Sequence, residues 1–283
     1  MNAEARRCVG YGLVLVAFLL FWLHELFPAD AIRTLLESRL SNPTSGRTVT
    51  IGRITTRFPF MMRLEPIEIQ LQEKPFFRID TLSIRSSGIR WGGIQTSVSA
   101  TTADGRISGE IGYPVVRDGI WHLHLQFSGI SIDRIAGIQQ IFGRPMAGEI
   151  AGGIHPQDRG LVLTLQGKNL KIGLMDASLG LSQVAFSSGE ARIEVATDEL
   201  RLTSAAFQGT QLSGSARGVL RLAETWTDSP IRAEATIRMH PGLLSEMQAS
   251  GLAALIASRI DREVTIQISG TILQPKWEMA DRP

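Results

Sequence analysis

The sequence has only one cysteine and two tyrosines among 283 residues, and it has little excess charge of either sign. With Cys8 as the only thiol, no intramolecular disulfide can form, so packing must stabilise the fold. The formal net charge is +2, and the Lys and Arg residues are spread along the chain. The basic footprint of a nucleic-acid-binding protein is therefore missing, and we predict no nucleic-acid partner.

The common catalytic motifs are missing as well. The sequence contains no Gly-x-Ser-x-Gly, no phosphate-binding loop and no paired cysteines for zinc. His24-Glu25 continues into Leu26-Phe27-Pro28, so it does not begin a zinc-protease motif. Because no convergent set of polar residues stands out, we predict a protein that is not an enzyme, with no cofactor and no metal site.

Two histidines invite one comparison. His122 and His124 are separated by one residue in a strand-like segment, so they share a face and could ligate one metal ion. They also fall on the polar side of that segment, where exposed histidines are ordinary. We favour the second interpretation. His155 and His240 have no partner that the sequence reveals.

A long apolar run lies near the N-terminus. It extends from Val9 to Leu23, and Leu26 and Phe27 continue it to a length slightly under the ~20 residues that span a bilayer. We predict a single transmembrane helix over residues 9–27. The residues expected to hold it in the membrane are Val9, Leu13, Val16, Leu19, Leu20, Trp22 and Leu23.

Arg6 and Arg7 precede this helix and determine the predicted topology. By the positive-inside rule they stay in the cytoplasm with residues 1–8, which places residues 28–283 on the other side. A cleaved signal peptide is the alternative, because Ala29-Asp30-Ala31 has the small-x-small form of a cleavage site. The apolar run is longer than that of most signal peptides, so we favour the anchor. Either interpretation exports the same domain.

Residues 28–283 are dominated by short alternating segments. In Trp121–Phe127 every odd position is apolar and every even position is polar, as expected of a strand with one buried face. Turn sequences such as Ala103-Asp104-Gly105 and Thr197-Asp198-Glu199 separate these segments and favour hairpins. Further segments with this alternation lie around residues 67–71, 77–84, 161–165, 193–195, 200–202, 220–222 and 264–268, of which we take 77–84 as one strand.

One short helix precedes the strands, and two interrupt them. The first follows Pro28 and carries Ile32, Leu35, Leu36 and Leu40 at helical spacing. The second is predicted to be capped by Asp133 and to end at Gly143. The third is predicted to start after Pro241 and to carry Leu244, Met247, Leu255, Ile256 and Ile260. We expect the second and third helices to cover the sheet.

A glycine flanked by apolar residues recurs within the strand-like segments. Such a glycine indicates a bend, a bulge or the close approach of another backbone. The fold class predicted is therefore mainly β, with an N-terminal transmembrane helix followed by a curved antiparallel sheet and a few short covering helices. The four occurrences are centred on Gly109, Gly148, Gly214 and Gly270.

The order of these features resembles the type II secretion system protein N family and, more distantly, the AsmA-like proteins. The resemblance covers most of the chain, and it is carried by patterns of small and apolar residues rather than by catalytic motifs. The matching segments are Phe27-Pro28-Ala29-Asp30-Ala31, the Leu-rich short helix, Gly46–Gly52, Leu64–Leu71 after Pro59, Gly105–Gly112, Leu212–Leu222 and Ile268–Ile272 before Pro275.

Two functions follow as expectations from this resemblance. The first is a bacterial inner-membrane protein with a periplasmic domain, serving as an assembly or structural component of type II secretion with other secretion components as partners. The second is an AsmA-like module that binds or transfers phospholipid in an apolar groove of its sheet. An apolar sheet face filled by its own side chains would favour a protein partner, whereas an open one would favour lipid.

Overall fold

The structure is a computed structural model that describes residues 18, 28–42, 46–57, 61–90, 93–114, 122–157, 160–174, 182–223, 228–246, 260 and 262–280. The prediction of a mainly β, antiparallel fold is confirmed. The strands are β1 (Arg47–Arg57), β2 (Met61–Leu71), β3 (Lys74–Ile79), β4 (Thr81–Arg90), β5 (Gly93–Thr102), β6 (Gly105–Pro114), β7 (His122–Ser131), β8 (Met146–Gln157), β9 (Gly160–Gly173), β10 (Gln183–Val195), β11 (Glu199–Gln208), β12 (Leu212–Arg221), β13 (Ile231–Met239), β14 (Glu263–Gly270) and β15 (Pro275–Ala280).

The strand order follows the sequence. Each strand is hydrogen-bonded to the next one along the chain, except that β2 pairs with both β3 and β4. The chain forms two compact units, and the boundary between them passes through β6. The first contains Met1–Thr102 and Glu110–Trp121, and the second contains Ala103–Gly109 and His122–Pro283.

The single strand predicted around residues 77–84 is two strands. One half of β2 pairs with β3, for example Ile67 with Ile79, and the other half pairs with β4, for example Leu64 with Leu82. Strand structure is interrupted at Asp80, which lies between β3 and β4. The two strands therefore pair one after the other along the same edge of β2. Alternation continues across such a break, which is why the sequence does not reveal it.

The first unit has a closed apolar core. Val49, Ile51 and Ile54 from β1 are buried together with Leu64 and Ile67 from β2. Partly buried side chains from neighbouring strands, including Met62, Ile69, Leu82 and Ile84, pack around them.

Helix α1 (Ala29–Leu40) confirms the first predicted helix and packs on this core through Ile32 and Leu36. Leu35 and Leu40, which recur at the same helical spacing, are 56% and 46% exposed. The helix lies along β1 and covers the sheet with only one side of its apolar stripe.

The outer edge of β1 is covered by polar groups from the helix and the residue after it. The backbone N–H of Ile51 donates to Glu37 Oε1 at 2.7 Å, and that of Val49 donates to Ser41 Oγ at 2.9 Å. These bonds satisfy donors that a free edge would offer to another strand.

The second unit contains tight hairpins and bulges. The predicted turn at Ala103-Asp104 is confirmed, with φ of 48° and 64°. Gly148 has φ of 126° and lies where the pairing of β8 with β9 shifts between Ala147 and Glu149. Of the three alternatives that its glycine pattern left open, the register shift at Gly148 indicates a bulge, and bulges of this kind bend a strand.

The helices of the second unit differ in part from the prediction. Asp133 lies inside a 3-10 turn (Ile132–Arg134) and does not cap helix α2 (Ala136–Phe142), whose preceding residue is Ile135. Ile132 and Ile135 are both buried, and the extended backbone of Ile135 separates the turn from the helix. Gly143 ends α2 in the left-handed region, as predicted.

The third predicted helix begins at Pro241, and α3 (Pro241–Glu246) is its described part. Leu243 is buried against Leu174, Leu212 and Met239, which confirms that this helix covers the sheet. Ile260 lies in a turn. Met247, Leu255 and Ile256 lie outside the described residues.

Apart from Phe18, which is helical and 63% exposed, the predicted membrane helix lies outside the part of the chain that the structure describes. No helix among the described residues is long and apolar enough to cross a bilayer. The predicted residues concerned are Arg6, Arg7, Val9, Leu13, Val16, Leu19, Leu20, Trp22 and Leu23.

Candidate functional site: an apolar sheet face

The strand registers of the second unit align apolar residues in rows that cross the sheet. Directly opposite residues of an antiparallel pair point to the same face, so a chain of opposite pairs defines one row. The central row runs through nine consecutive strands, from β7 to β15. Its members are Leu125, Ile154, Leu163, Ile193, Leu202, Gly218, Ala233, Ile268 and Trp277.

Neighbouring rows on the same side are apolar too. Together with the central row they form what we call the apolar face, and none of its members is charged or polar. The flanking rows are Phe127, Gly152, Leu165, Ala191, Ala205, Ala216, Ala235, Ile266 and Met279; Ile150, Gly167, Gly189, Phe207, Gly214, Ile237 and Val264; and Pro156, Leu161, Val195, Leu200, Leu220 and Ile231.

The apolar face is only partly covered. No residue of the central row is fully buried, and Trp277 at its end is 65% exposed. In the first unit, by contrast, Ile51 and Leu64 are 2% and 3% exposed. Within the described residues, the side chains of the second unit therefore do not fill this face as the first unit fills its core.

The apolar face extends across the whole width of nine strands. Strands about 4.8 Å apart then cover about 38 Å, and the rows cover roughly 20 Å along the strands, which gives a footprint of about 700 Å². The half-buried side chains expose only part of this footprint. A contiguous apolar face of this extent that its own chain covers only in part indicates a binding site.

Helix α3 covers one end of the apolar face. Its Leu243 packs against Leu212 and Met239, which are opposite each other on β12 and β13. Buried Gln211 holds the adjoining backbone, because its Oε1 accepts from the Ala185 N–H at 3.0 Å and its carbonyl accepts from the His240 N–H at 2.9 Å. This end is therefore closed by packing and by hydrogen bonds.

The opposite side of the same sheet carries the charged residues, together with a few apolar ones such as the buried Val162. Arg217 pairs with Glu234 at 2.8 Å, and Arg238 pairs with Glu263 at 2.7 Å. The hydrogen bond from Arg217 to Glu234 raises the pKa of the guanidinium. Charges on this side and none on the other make the whole sheet amphipathic, so solvent and an apolar ligand would meet different faces.

Three histidines have side-chain partners that the sequence does not reveal. His124 and His155 lie opposite each other on β7 and β8, with their Nδ1 atoms 2.9 Å apart and ring centroids 4.5 Å apart. The His240 Nε2 is 2.7 Å from Ser213 Oγ. Neither the contact of His124 with His155 nor that of His240 with Ser213 could be predicted, because a cross-strand contact depends on the register and not on the local sequence. Among the described residues, no three His, Cys, Asp or Glu side chains form a metal-binding group.

Sequence reasoning predicted an apolar groove in the sheet but named none of its residues. The signal was present in the alternation of Leu161, Leu163 and Leu165 and of Ile193 and Val195, which the structure places on the apolar face. What the sequence lacks is the register that joins these segments into rows. The predicted membrane residues, by contrast, all fall outside the described part of the chain.

Comparison of this chain with protein-family models, with curated proteins and with solved structures found no match. The resemblance to the type II secretion system protein N family and to AsmA-like proteins stays a prediction from the sequence.

Proposed function

We propose that this protein binds lipid acyl chains along the apolar face of its second unit. The observation that supports this proposal is the row from Leu125 to Trp277, which crosses nine strands without a polar side chain and without a fully buried one. Acyl chains need a surface of this kind, because they offer no group for a hydrogen bond or an ion pair.

The energetics favour an extended apolar ligand. Each ~100 Å² of apolar surface removed from water stabilises the complex by about 2.5 kcal/mol. Since no charged group of this face must lose its hydration, little of that gain is offset by desolvation. A small polar ligand would obtain neither benefit here.

Photo-crosslinking tests the proposal directly. A photoreactive amino acid at Ile193 points to the apolar face, whereas the same amino acid at the adjacent Arg192 points to the polar side. With the full chain in its native membrane, we expect phospholipid adducts from position 193 and few from position 192. Equal labelling at both positions, or none at 193, would contradict acyl-chain binding.

A pair of charge substitutions gives a quantitative test. Leu163→Glu places a carboxylate in the middle of the apolar face, and Thr164→Glu places one on the other side of β9. We expect Leu163→Glu to lower the phospholipid that co-purifies in mild detergent by at least about fivefold, because an acyl chain cannot compensate a buried carboxylate.

Thr164→Glu is the matched control and should retain the wild-type amount of lipid. Phosphorus analysis of the purified proteins measures the ratio, and circular dichroism confirms that both variants retain strand structure. An unchanged lipid content in a folded Leu163→Glu variant would argue against the proposal.

The export role implied by the family resemblance stays a prediction. In that proposal the N-terminal helix anchors the chain in a bacterial inner membrane, and the β-rich domain contacts secretion components in the periplasm. Deletion of the gene should then block the export of secreted enzymes. Normal secretion in the deletion strain would contradict the export role, but it would not contradict the proposal that the protein binds lipid.

A further inference from the structure

Two histidines outside the apolar face lie close enough to share one ligand. His124 on β7 and His155 on β8 are directly opposite each other, and both side chains are half-buried on the other side of the sheet. Cβ atoms of directly opposite residues are about 5 Å apart, so two imidazole rings can reach the same point. Imidazole is a good ligand for copper, nickel and zinc.

The distances between the two rings are those of two imidazoles bound to one ion at a right angle. With metal–nitrogen bonds of about 2.05 Å, such a pair has its nitrogens about 2.9 Å apart and its ring centroids about 4.5 Å apart. The Nδ1 atoms of His124 and His155 are 2.9 Å apart, and the ring centroids are 4.5 Å apart. The rings are therefore already at the separation that a shared ion needs.

Two other arrangements fit these distances less well. At a tetrahedral angle, the same two rings would be about 3.3 Å apart at their nitrogens and about 5.2 Å apart at their centroids. In a straight hydrogen bond both rings lie on the line through the two nitrogens, which also places the centroids about 5.2 Å apart. The observed separation of the centroids is 4.5 Å. A hydrogen bond between these rings is therefore bent at one nitrogen at least.

Neighbouring residues position both rings. The Nε2 of His124 is 3.2 Å from the side-chain amide of Gln126. An imidazole that binds a metal through one nitrogen donates the hydrogen of the other to an acceptor, and an amide turned by half a rotation offers its oxygen for this bond. On β8, a Cβ atom at Gly153 would be 3.0 Å from the Nε2 of His155, so the glycine leaves the space that this ring occupies. The two Nδ1 atoms are thus held facing each other.

Space for water lies beside His155. The cleft there is open to solvent, and polar side chains including Gln126, Thr164 and Gln166 line it. Water can therefore complete the coordination of an ion that has only two protein ligands. Arg106 also lines the cleft, but it is exposed, so solvent weakens its repulsion of a cation.

We propose that His124 and His155 bind one Cu²⁺ ion through their Nδ1 atoms, with water at the remaining positions. Cu²⁺ prefers ligands at right angles to one another, and it binds nitrogen sites more tightly than Ni²⁺ or Zn²⁺ does. The ligands differ from the pair of His122 and His124, which the sequence brings together on one strand. The site is separate from the apolar face, so this inference stands independently of the proposed function.

Titration with Cu²⁺ tests the site. The full chain in mild detergent, without an affinity tag, should bind Cu²⁺ through this pair. Removal of either imidazole leaves a single protein ligand, and we expect His124→Ala and His155→Ala each to raise the Cu²⁺ dissociation constant by about tenfold or more. Isothermal titration calorimetry measures the constants, and circular dichroism confirms that the variants retain strand structure.

His122→Ala and His240→Ala are the matched controls, because each removes one imidazole from the second unit. Both should leave the Cu²⁺ dissociation constant unchanged. Weaker binding in His122→Ala but not in His155→Ala would overturn the proposal, because it would assign the ion to two histidines of one strand. A wild-type chain that binds no Cu²⁺ would overturn it as well, and so would a double variant, His124→Ala with His155→Ala, that binds Cu²⁺ as tightly as the wild type.

Pulsed electron paramagnetic resonance counts the imidazoles on the bound Cu²⁺. We expect the signal of two coordinated imidazoles in the wild type and of one in His124→Ala or His155→Ala at saturating Cu²⁺. Zn²⁺ tests the angle between the ligands and should compete poorly, because its tetrahedral geometry needs the two rings farther apart. A wild-type signal from a single imidazole, or displacement of Cu²⁺ by an equal concentration of Zn²⁺, would contradict the right-angle pair.

Discussion

Two glycines of the second unit lie beneath aromatic rings on the apolar face. A Cβ atom at Gly152 would be 2.8 Å from Phe127 Cζ, and one at Gly214 would be 2.7 Å from Phe207 Cζ. Each ring occupies the place of the missing side chain on the neighbouring strand, which keeps the apolar face continuous where the glycine would leave a gap. The glycine pattern of the sequence therefore marks packing as well as bending.

At Gly214 this packing can be tested by substitution. Gly214→Val brings a side chain against the Thr236 carbonyl oxygen and against the ring of Phe207, and we expect a loss of about 1–3 kcal/mol in the free energy of unfolding. Ser215→Val, one residue further on the exposed polar side, should change it by less than about 0.5 kcal/mol. Urea denaturation measures both, and equal effects of the two substitutions would refute the packing argument.

The histidine pair offers a second test at the residue scale. His124 and His155 each supply one Nδ1 to a contact of 2.9 Å, so removal of either ring breaks the same interaction. We expect a double-mutant cycle of His124→Ala and His155→Ala to give a coupling free energy of about 1 kcal/mol. Single effects that add within about 0.3 kcal/mol would show that the rings do not interact.

Among the elements, most strands follow from alternation in the sequence, because a sheet with one apolar face requires apolar residues at every second position. Leu161–Leu165 and Val264–Ile268 illustrate this. The hairpin at Ala103-Asp104 also follows, since two residues with positive φ are needed between strands that twist to the right.

Other features depend on contacts between distant residues and could not be predicted. The break at Asp80 follows from the way two strands share the edge of β2. Asn169 has φ of 50°, and beyond it Leu170 packs beside Gly167 and Gly189, so strict alternation fails at this point of β9. The rows of the apolar face are fixed by registers of this kind, which a single strand does not reveal.

Helix α1 provides a prediction at the element scale. The Glu37 carboxylate accepts the Ile51 N–H at 2.7 Å, and its removal leaves a partly buried donor on the β1 edge unsatisfied. We expect Glu37→Ala to lower the free energy of unfolding by about 1–2 kcal/mol, and Glu37→Gln, which retains an acceptor, to lower it by less. Ser38→Ala on the exposed side of the same helix is the control, and chemical denaturation is the measurement.

The whole molecule combines two kinds of β packing. The first unit encloses its apolar residues, with Ile51 and Leu64 almost inaccessible, whereas the apolar face of the second unit is half-buried across nine strands. A sheet that leaves so much apolar surface in contact with water gains less from the hydrophobic effect than a closed core. Lipid bound on that face would recover part of the difference, so delipidated protein should unfold at a lower temperature than protein with its lipid.

Salt tests how lipid is held on the second unit, because the apolar face contains no charged residue. Lipid bound there through its acyl chains should be retained when the salt concentration is raised to about 1 M, where charges are screened beyond about 3 Å. Phosphorus analysis of the protein at low and high salt measures the lipid that stays bound. Lipid released by salt would indicate that head groups, rather than acyl chains, hold the ligand.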